Sequence, residues 1–261
     1  MLRSAHYVST GDLAMLAAAL DMFSKGGWAY LSRWGHVLVG ITWIGLLYYF
    51  NFVQVPSFAE MDAAARNNAI DKLASRALWW FRWAALATVV TGLMILYFQE
   101  QLDDMDYFKS LPGISIATGI LLALTMFANV WGVIWRNQKV VIANARNVAA
   151  GGEPDPNAAA LGRKALMASR QNAIFSLPML IFMVGTSHFP YDQLFTTGSK
   201  RAIYWIITIV IWGVLEAGAL GAFGTKAGGF NVIYDDHKNA LIAGFVLAVV
   251  WVGVFSFVLA R

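Results

Sequence analysis

There is no cysteine among the 261 residues. That excludes disulfides, thiolate metal centres, iron–sulfur clusters and covalent haem attachment through C-x-x-C-H. Charge is also scarce, at 13% of residues against roughly 25% in an ordinary soluble domain. A water-facing surface needs that charge, so most of this surface faces something else. Hydrophobic residues make up 59% of the chain and mean hydropathy is +0.58. Lipid is the solvent that such a composition fits. The net charge of +4, spread between loops, does not suggest a nucleic-acid binder. The N-terminus does not read as a signal peptide, because its apolar run over 13–20 is short and flanked by Asp12 and Asp21. Residues 1–30 are expected to form a tail and an interfacial or capping helix over 10–23.

What is present is a series of long apolar stretches. A helix needs about 20 apolar residues to cross the hydrocarbon layer, and unpaired backbone groups in lipid cost several kcal/mol each. The stretches 33–55, 78–98, 113–135, 172–188, 202–222 and 239–259 meet or nearly meet that length. The expected fold is therefore all-α: a polytopic membrane bundle of about six transmembrane helices occupying 31–261. The fourth span is the shortest and could begin earlier, near Ala165. The longest loop, 137–171, contains Gly151-Gly152-Glu153-Pro154-Asp155-Pro156, a turn-forming break between two short helical pieces.

Lysine and arginine set the orientation. Arg66, Lys72 and Arg76 follow span one, and Arg136, Lys139, Arg146, Arg163, Lys164 and Arg170 follow span three. The loop after span two is acidic, with Glu100, Asp103, Asp104 and Asp106. The positive-inside bias puts the two basic loops in the cytoplasm and both termini outside, in the periplasm if the membrane is a bacterial inner membrane.

Four histidines occur. His36 lies one turn inside span one and His188 ends span four, at similar expected depth. Two such histidines on different helices could ligate a b-type haem or share a metal. The other reading is that each is an interfacial residue bonding water or a loop carbonyl. His237 begins span six and His6 is in the tail. On span one, His36, Gly40, Trp43, Leu47, Asn51 and Gln54 share a stripe at about 100° per residue. That stripe faces either a wet cavity or an interhelical hydrogen-bond seam, and Gly40 would let a ring or a neighbouring backbone approach. Glu216 is the one carboxylate well inside a span, with Arg82, His237 or Asn129 as candidate partners. Proton transfer and a buried structural pair are its two readings. Gly213, Ala217, Gly218 and Gly221 beside it suggest tight packing. Arg82, in Trp79-Trp80-Phe81-Arg82-Trp83, sits deeper than a snorkelling arginine needs. It would neutralise a haem propionate or an anionic substrate, or bind a lipid phosphate. Asn129 lies inside span three.

The stretch from Arg33 to Gln54, RWGHVLVGITWIGLLYYFNFVQ, closely resembles the membrane domain of bacterial urate hydroxylases of the PuuD type. Residues 79–83, 126–139 and 172–188 and the start of span six resemble it too, so the likeness covers most of the chain from residue 33. The opening is similar, more loosely, to the first helix of CopD- and HemJ-type membrane proteins, which handle copper or haem. By motif position, the family pattern carries over to His36, Trp43, Asn51, Gln54, Arg82, Asn129, Asn137, Gln138, Asn172 and His188, without assigning individual roles.

The resemblance implies oxidation of urate, or a related purine, to 5-hydroxyisourate. In that family the electrons leave through a cytochrome c domain outside the membrane. Here the sequence stops at Arg261 without C-x-x-C-H, so electrons would pass to a separate cytochrome-type carrier. The expected site combines a haem b or metal at His36 and His188 with a substrate region of Trp43, Asn51, Gln54, Arg82, Asn129 and Glu216. The alternative is a non-catalytic accessory subunit of a larger membrane redox or photosynthetic complex. A third reading, transport of a purine or a proton-coupled solute, rests on Glu216 and Asn51 and lacks the paired broken helices of many transporters.

Overall fold

The computed structural model describes residues 9–11, 13, 15 and 21–259. Most of the expected N-terminal helix, and His6, lie outside the described residues. From Lys25 onward there are seven helices: α1 (Lys25–Glu60), α2 (Ala63–Phe98), α3 (Leu111–Ala149), α4 (Ala158–His188), α5 (Gly198–Ala219), α6 (Val232–Asp235) and α7 (His237–Leu259). No strand occurs among the described residues, only an isolated bridge between Ser110 and Phe195.

The helix starts follow local chemistry. Ser24, Asp62, Ser110 and Thr197 each accept a hydrogen bond from the backbone N–H three residues on, satisfying a donor that the first turn leaves free. Two ends are set by glycine. After α3 and after α5 the chain turns through Gly151 (φ 84°) and Gly221 (φ 95°). The N–H groups of Gly152 and Ala222 then reach back to Asn147 O and Ala217 O, both at 2.9 Å. A side chain would strain that left-handed turn.

Five of the helices, α1, α2, α3, α5 and α7, are long and apolar enough to cross a membrane. The chain is an all-α membrane protein. The sixth long helix, α4, starts at Ala158, earlier than expected, and is less apolar for a physical reason. It is the central pillar, packed against α1, α3, α5, α6 and α7. A helix with so much of its surface against protein needs less lipid-soluble surface, and its exposed large apolar residues, Leu180, Ile181 and Val184, lie in its C-terminal half. The outer helices need more, and Ile41, Val90, Val210 and Val249 are among their exposed apolar residues.

The loops also differ from expectation. The long loop over 137–171 is mostly helix, because α3 runs on to Ala149 and α4 is already formed at Ala158. Only the Gly–Gly–Glu–Pro–Asp–Pro break is irregular. Likewise α1 and α2 both extend past the apolar core and are separated only at Met61 and Asp62. The bundle thus has a basic end, with the 150–157 and 220–236 connections, and an opposite end with the acidic 99–110 and the 189–197 connections.

Three helices are widened. Residues Tyr49–Gln54 of α1, Ile70–Ala74 of α2 and Asn129–Ile134 of α3 form π-helical turns. Such turns cost regular hydrogen bonding and often mark functional sites. Two of them carry Asn51, Gln54 and Asn129.

Candidate functional site: a buried polar belt around α4

Four consecutive residues on α4, Ser169 to Asn172, project from the pillar towards different neighbours. Ser169 Oγ accepts from Asn51 Nδ2 of α1 at 2.9 Å. Arg170 donates to the carbonyl of Tyr234. Gln171 Oε1 accepts from the Tyr234 hydroxyl at 2.7 Å. Asn172 Oδ1 accepts from Asn129 Nδ2 of α3 at 3.0 Å, and its own Nδ2 donates to Met126 O at 2.9 Å. One turn further on, Ser176 Oγ meets the Tyr48 hydroxyl at 2.8 Å. Consecutive side chains on a helix diverge by about 100°. A polar run on a central helix therefore reaches several partners at once.

Glu216 joins this belt. Its Oε2 accepts from Asn129 Nδ2 at 3.2 Å. Of the three partners considered, the structure supplies Asn129. Arg82 and His237 are engaged elsewhere: Arg82 over the Trp135 ring, and His237 beside Asp236 and near the Phe52 ring. Glu216 also sits in the last turn of α5 rather than deep in a span, because that helix ends at Ala219 and not at 222. The belt lies near the basic end of the bundle.

Several polar atoms in and around this belt are buried without a partner: Asn51 Oδ1, Gln54 Oε1, Gln171 Nε2, Arg170 Nε and Trp43 Nε1. Gln171 and Asn172 are fully buried, and Asn51 and Trp43 are 1% exposed. Buried polar groups are nearly always hydrogen-bonded, so these unpaired donors and acceptors need an explanation. Donors and acceptors occur together, a mixture suited to water or to a heterocycle bearing both carbonyl and N–H groups.

The α1 stripe faces inward through Trp43, Leu47 and Asn51, which are buried. Gly40 does not serve as a close-approach point: a Cβ there would have no atom within 4 Å. The same holds for Gly213, whereas a Cβ at Gly218 would overlap the Phe230 ring. Tight packing next to Glu216 is thus confined to one of the glycines and is made by the 220–236 connection.

The two histidines lie towards the other end. His36 Nδ1 is 2.9 Å from Thr88 O and 3.2 Å from Thr91 Oγ1, and its ring packs on Gly92 of α2. His188 Nδ1 is 3.1 Å from Val184 O, one turn back on its own helix. It borders a shallow groove on α4 with Leu180, Ile181, Val184, Gly185 and Phe189. A carbonyl only accepts, so each Nδ1 is the donor, an arrangement that in a neutral ring leaves the Nε2 lone pair free. No contact joins the two rings. Among the described residues, no group of three or more His, Asp or Glu side chains is placed to hold a metal ion.

Of the expected site residues, the structure brings Asn129 and Glu216 together and bonds Asn51 of α1 to the α4 pillar. Arg82 packs on Trp131 and Trp135 of α3, and His36 and His188 stand apart from the belt. Gln171, Arg170, Ser169 and Tyr234 were not singled out from the sequence. The polar run just before an apolar stretch was a signal for the first three. Tyr234, in a connection, carried none.

Residues 104–220 match the family model for the urate oxidase N-terminal region. That range includes α3, α4 and α5, and hence Asn129, Asn172 and Glu216. Neither the curated proteins nor the solved structures include a match to this chain.

Proposed function

Taking the urate oxidase N-terminal match over 104–220 as the premise, we propose that this chain is a membrane redox protein. It oxidises urate or a related purine and passes electrons to a separate carrier. One observation carries the reading: the matched range contains the buried Asn129–Asn172–Glu216 cluster. Conversion of urate to 5-hydroxyisourate adds the oxygen of one water and releases two electrons and two protons. The chain must therefore bind a planar heterocycle, take up protons and hand on electrons.

The residues of the belt suit the first two tasks. The unpartnered Asn51 Oδ1 and Gln54 Oε1 would accept from ring N–H groups. Trp43 Nε1 and Gln171 Nε2 would donate to ring carbonyls. Glu216, held by Asn129 and paired with no cation among the described residues, would receive a proton.

Electron transfer calls for a cofactor, and a b-type haem fits the donor chemistry of the two histidines. What supports it is the tautomer, because an Nδ1–H bonded to a carbonyl leaves Nε2 free to ligate iron. His36 and His188 would hold the haem through Nε2, and the bound group would supply one-electron transfer.

The test is urate-dependent reduction of soluble cytochrome c or a redox dye by membranes containing the chain, with optical spectra of wild type, His36→Ala and His188→Ala. Reduction that needs Glu216 and a Soret band lost in the histidine variants are expected. Absence of urate-dependent reduction with every acceptor would overturn the catalytic reading and leave the accessory-subunit alternative.

A further inference from the structure

Among the described residues, Arg82 is paired with no carboxylate. Its guanidinium lies 3.7 Å from the centre of the Trp135 ring and 5.8 Å from that of Trp131. On Trp135 a second cation, Lys139 Nζ, lies 5.9 Å from the ring centre. Arg82 Nε, Arg82 Nη1 and Trp131 Nε1 are all buried without a hydrogen-bond partner. Asp71, two to three turns earlier on α2, is already tied to Arg146 and Lys72. The contact between Arg82 and the two indoles of α3 therefore gathers one guanidinium and three unsatisfied N–H donors, with the exposed Lys139 beside Trp135 as a second positive charge.

A donor-only, cationic cluster calls for an anion with several acceptor oxygens, and a guanidinium on an indole face is pre-shaped for phosphate. Depth identifies the source. Arg82 is sixteen residues from the α2 terminus at Phe98, about 24 Å along the helix. The hydrocarbon layer is about 30 Å thick. That depth puts the guanidinium within side-chain reach of the headgroups at the basic end. The flanking Trp79, Trp80 and Trp83 are exposed, as interfacial aromatics are. We propose that Arg82, Trp131, Trp135 and Lys139 form a binding site for the phosphate of an anionic phospholipid headgroup. The orphan nitrogens are covered, so the phosphate enters by displacing the edge of a half-buried indole. This role is separate from the purine chemistry above and takes Arg82 out of the substrate region.

The experiment uses the full chain in nanodiscs of phosphatidylcholine with one-fifth phosphatidylglycerol, released into mild detergent for native mass spectrometry. Wild type is expected to retain phosphatidylglycerol. Arg82→Gln should lose it, and Arg82→Lys and Lys139→Gln should retain several-fold less. Unchanged melting in phosphatidylcholine alone verifies that each variant is folded. Equal retention by folded wild type and Arg82→Gln would overturn the site. Retention displaced by millimolar inorganic phosphate would show a free-phosphate site and overturn the lipid assignment. Protection of wild type by urate that is lost in Arg82→Gln, with lipid retention unchanged, would return the arginine to the substrate.

Discussion

The Tyr48 hydroxyl and Ser176 Oγ, 2.8 Å apart, fix how α1 and α4 run past each other. The Asn51–Ser169 bond has the same antiparallel sense, offset by about one helical turn. His36 lies twelve residues before Tyr48 and His188 twelve residues after Ser176, so each is about 18 Å of helix from that bond. The register therefore gives the two histidines matching depth, although their rings make no contact. Tyr48→Phe removes the register bond while leaving Ser176 its bond to Ala173 O. A loss of about 0.6 kcal/mol is expected, typical of interhelical hydrogen bonds in membranes. Equilibrium unfolding in mixed detergent would measure it.

Asn129 holds both Asn172 and Glu216. Asn129→Leu leaves the two buried acceptors without their common donor, and about 1–3 kcal/mol should be lost. Glu216→Gln preserves shape and hydrogen bonding, so it should fold with near-normal stability. If Glu216 receives a proton during turnover, that variant melts normally and loses urate-dependent reduction. Melting curves and activity measured on the same preparations separate the two effects.

Two glycines on one helix should respond oppositely. Gly218→Ala drives a methyl into the Phe230 ring and should cost about 1–3 kcal/mol unless that ring shifts. Gly213→Ala meets nothing and should be neutral or slightly stabilising, because alanine is the better helix former. Thermal unfolding of the two variants beside wild type tests the contrast.

Asp236 caps α7, its Oδ1 accepting from Lys238 N at 2.7 Å. That backbone bond holds its carboxyl below the ordinary carboxylate range, with a smaller contribution from the charges of His237, Arg170 and Lys238. A lowered native value means the stabilisation is present above the ordinary value of about 4 and is lost as pH falls through it and below. Asp236→Asn keeps an acceptor at the cap but removes this titration. Its melting temperature should fall less steeply with acidification than that of wild type.

The sequence by itself determined the solvent and the class of fold. Long apolar stretches and scarce charge require helices in lipid, because no other local structure satisfies the backbone there. It also marked the turn at Gly151 and the inward stripe through Trp43 and Asn51, since both follow from local conformation and helical period. It singled out Asn129 and Glu216, because polar groups inside apolar runs stand out one at a time.

Only the tertiary structure decided which of those groups meet. The partner of Glu216 is a carboxamide on α3 rather than Arg82 or His237, and this depends on how three helices rotate about α4. The central position of α4 explains both its lower apolarity and the belt of polar residues it carries. The π-helical turns beside Asn51 and Asn129 leave no local mark in the sequence. Tyr234 reaches the belt because a connection folds back over the bundle end, a long-range event that no short window of residues encodes. Pairing is a property of helix rotation and register, and those are set by packing across the whole bundle.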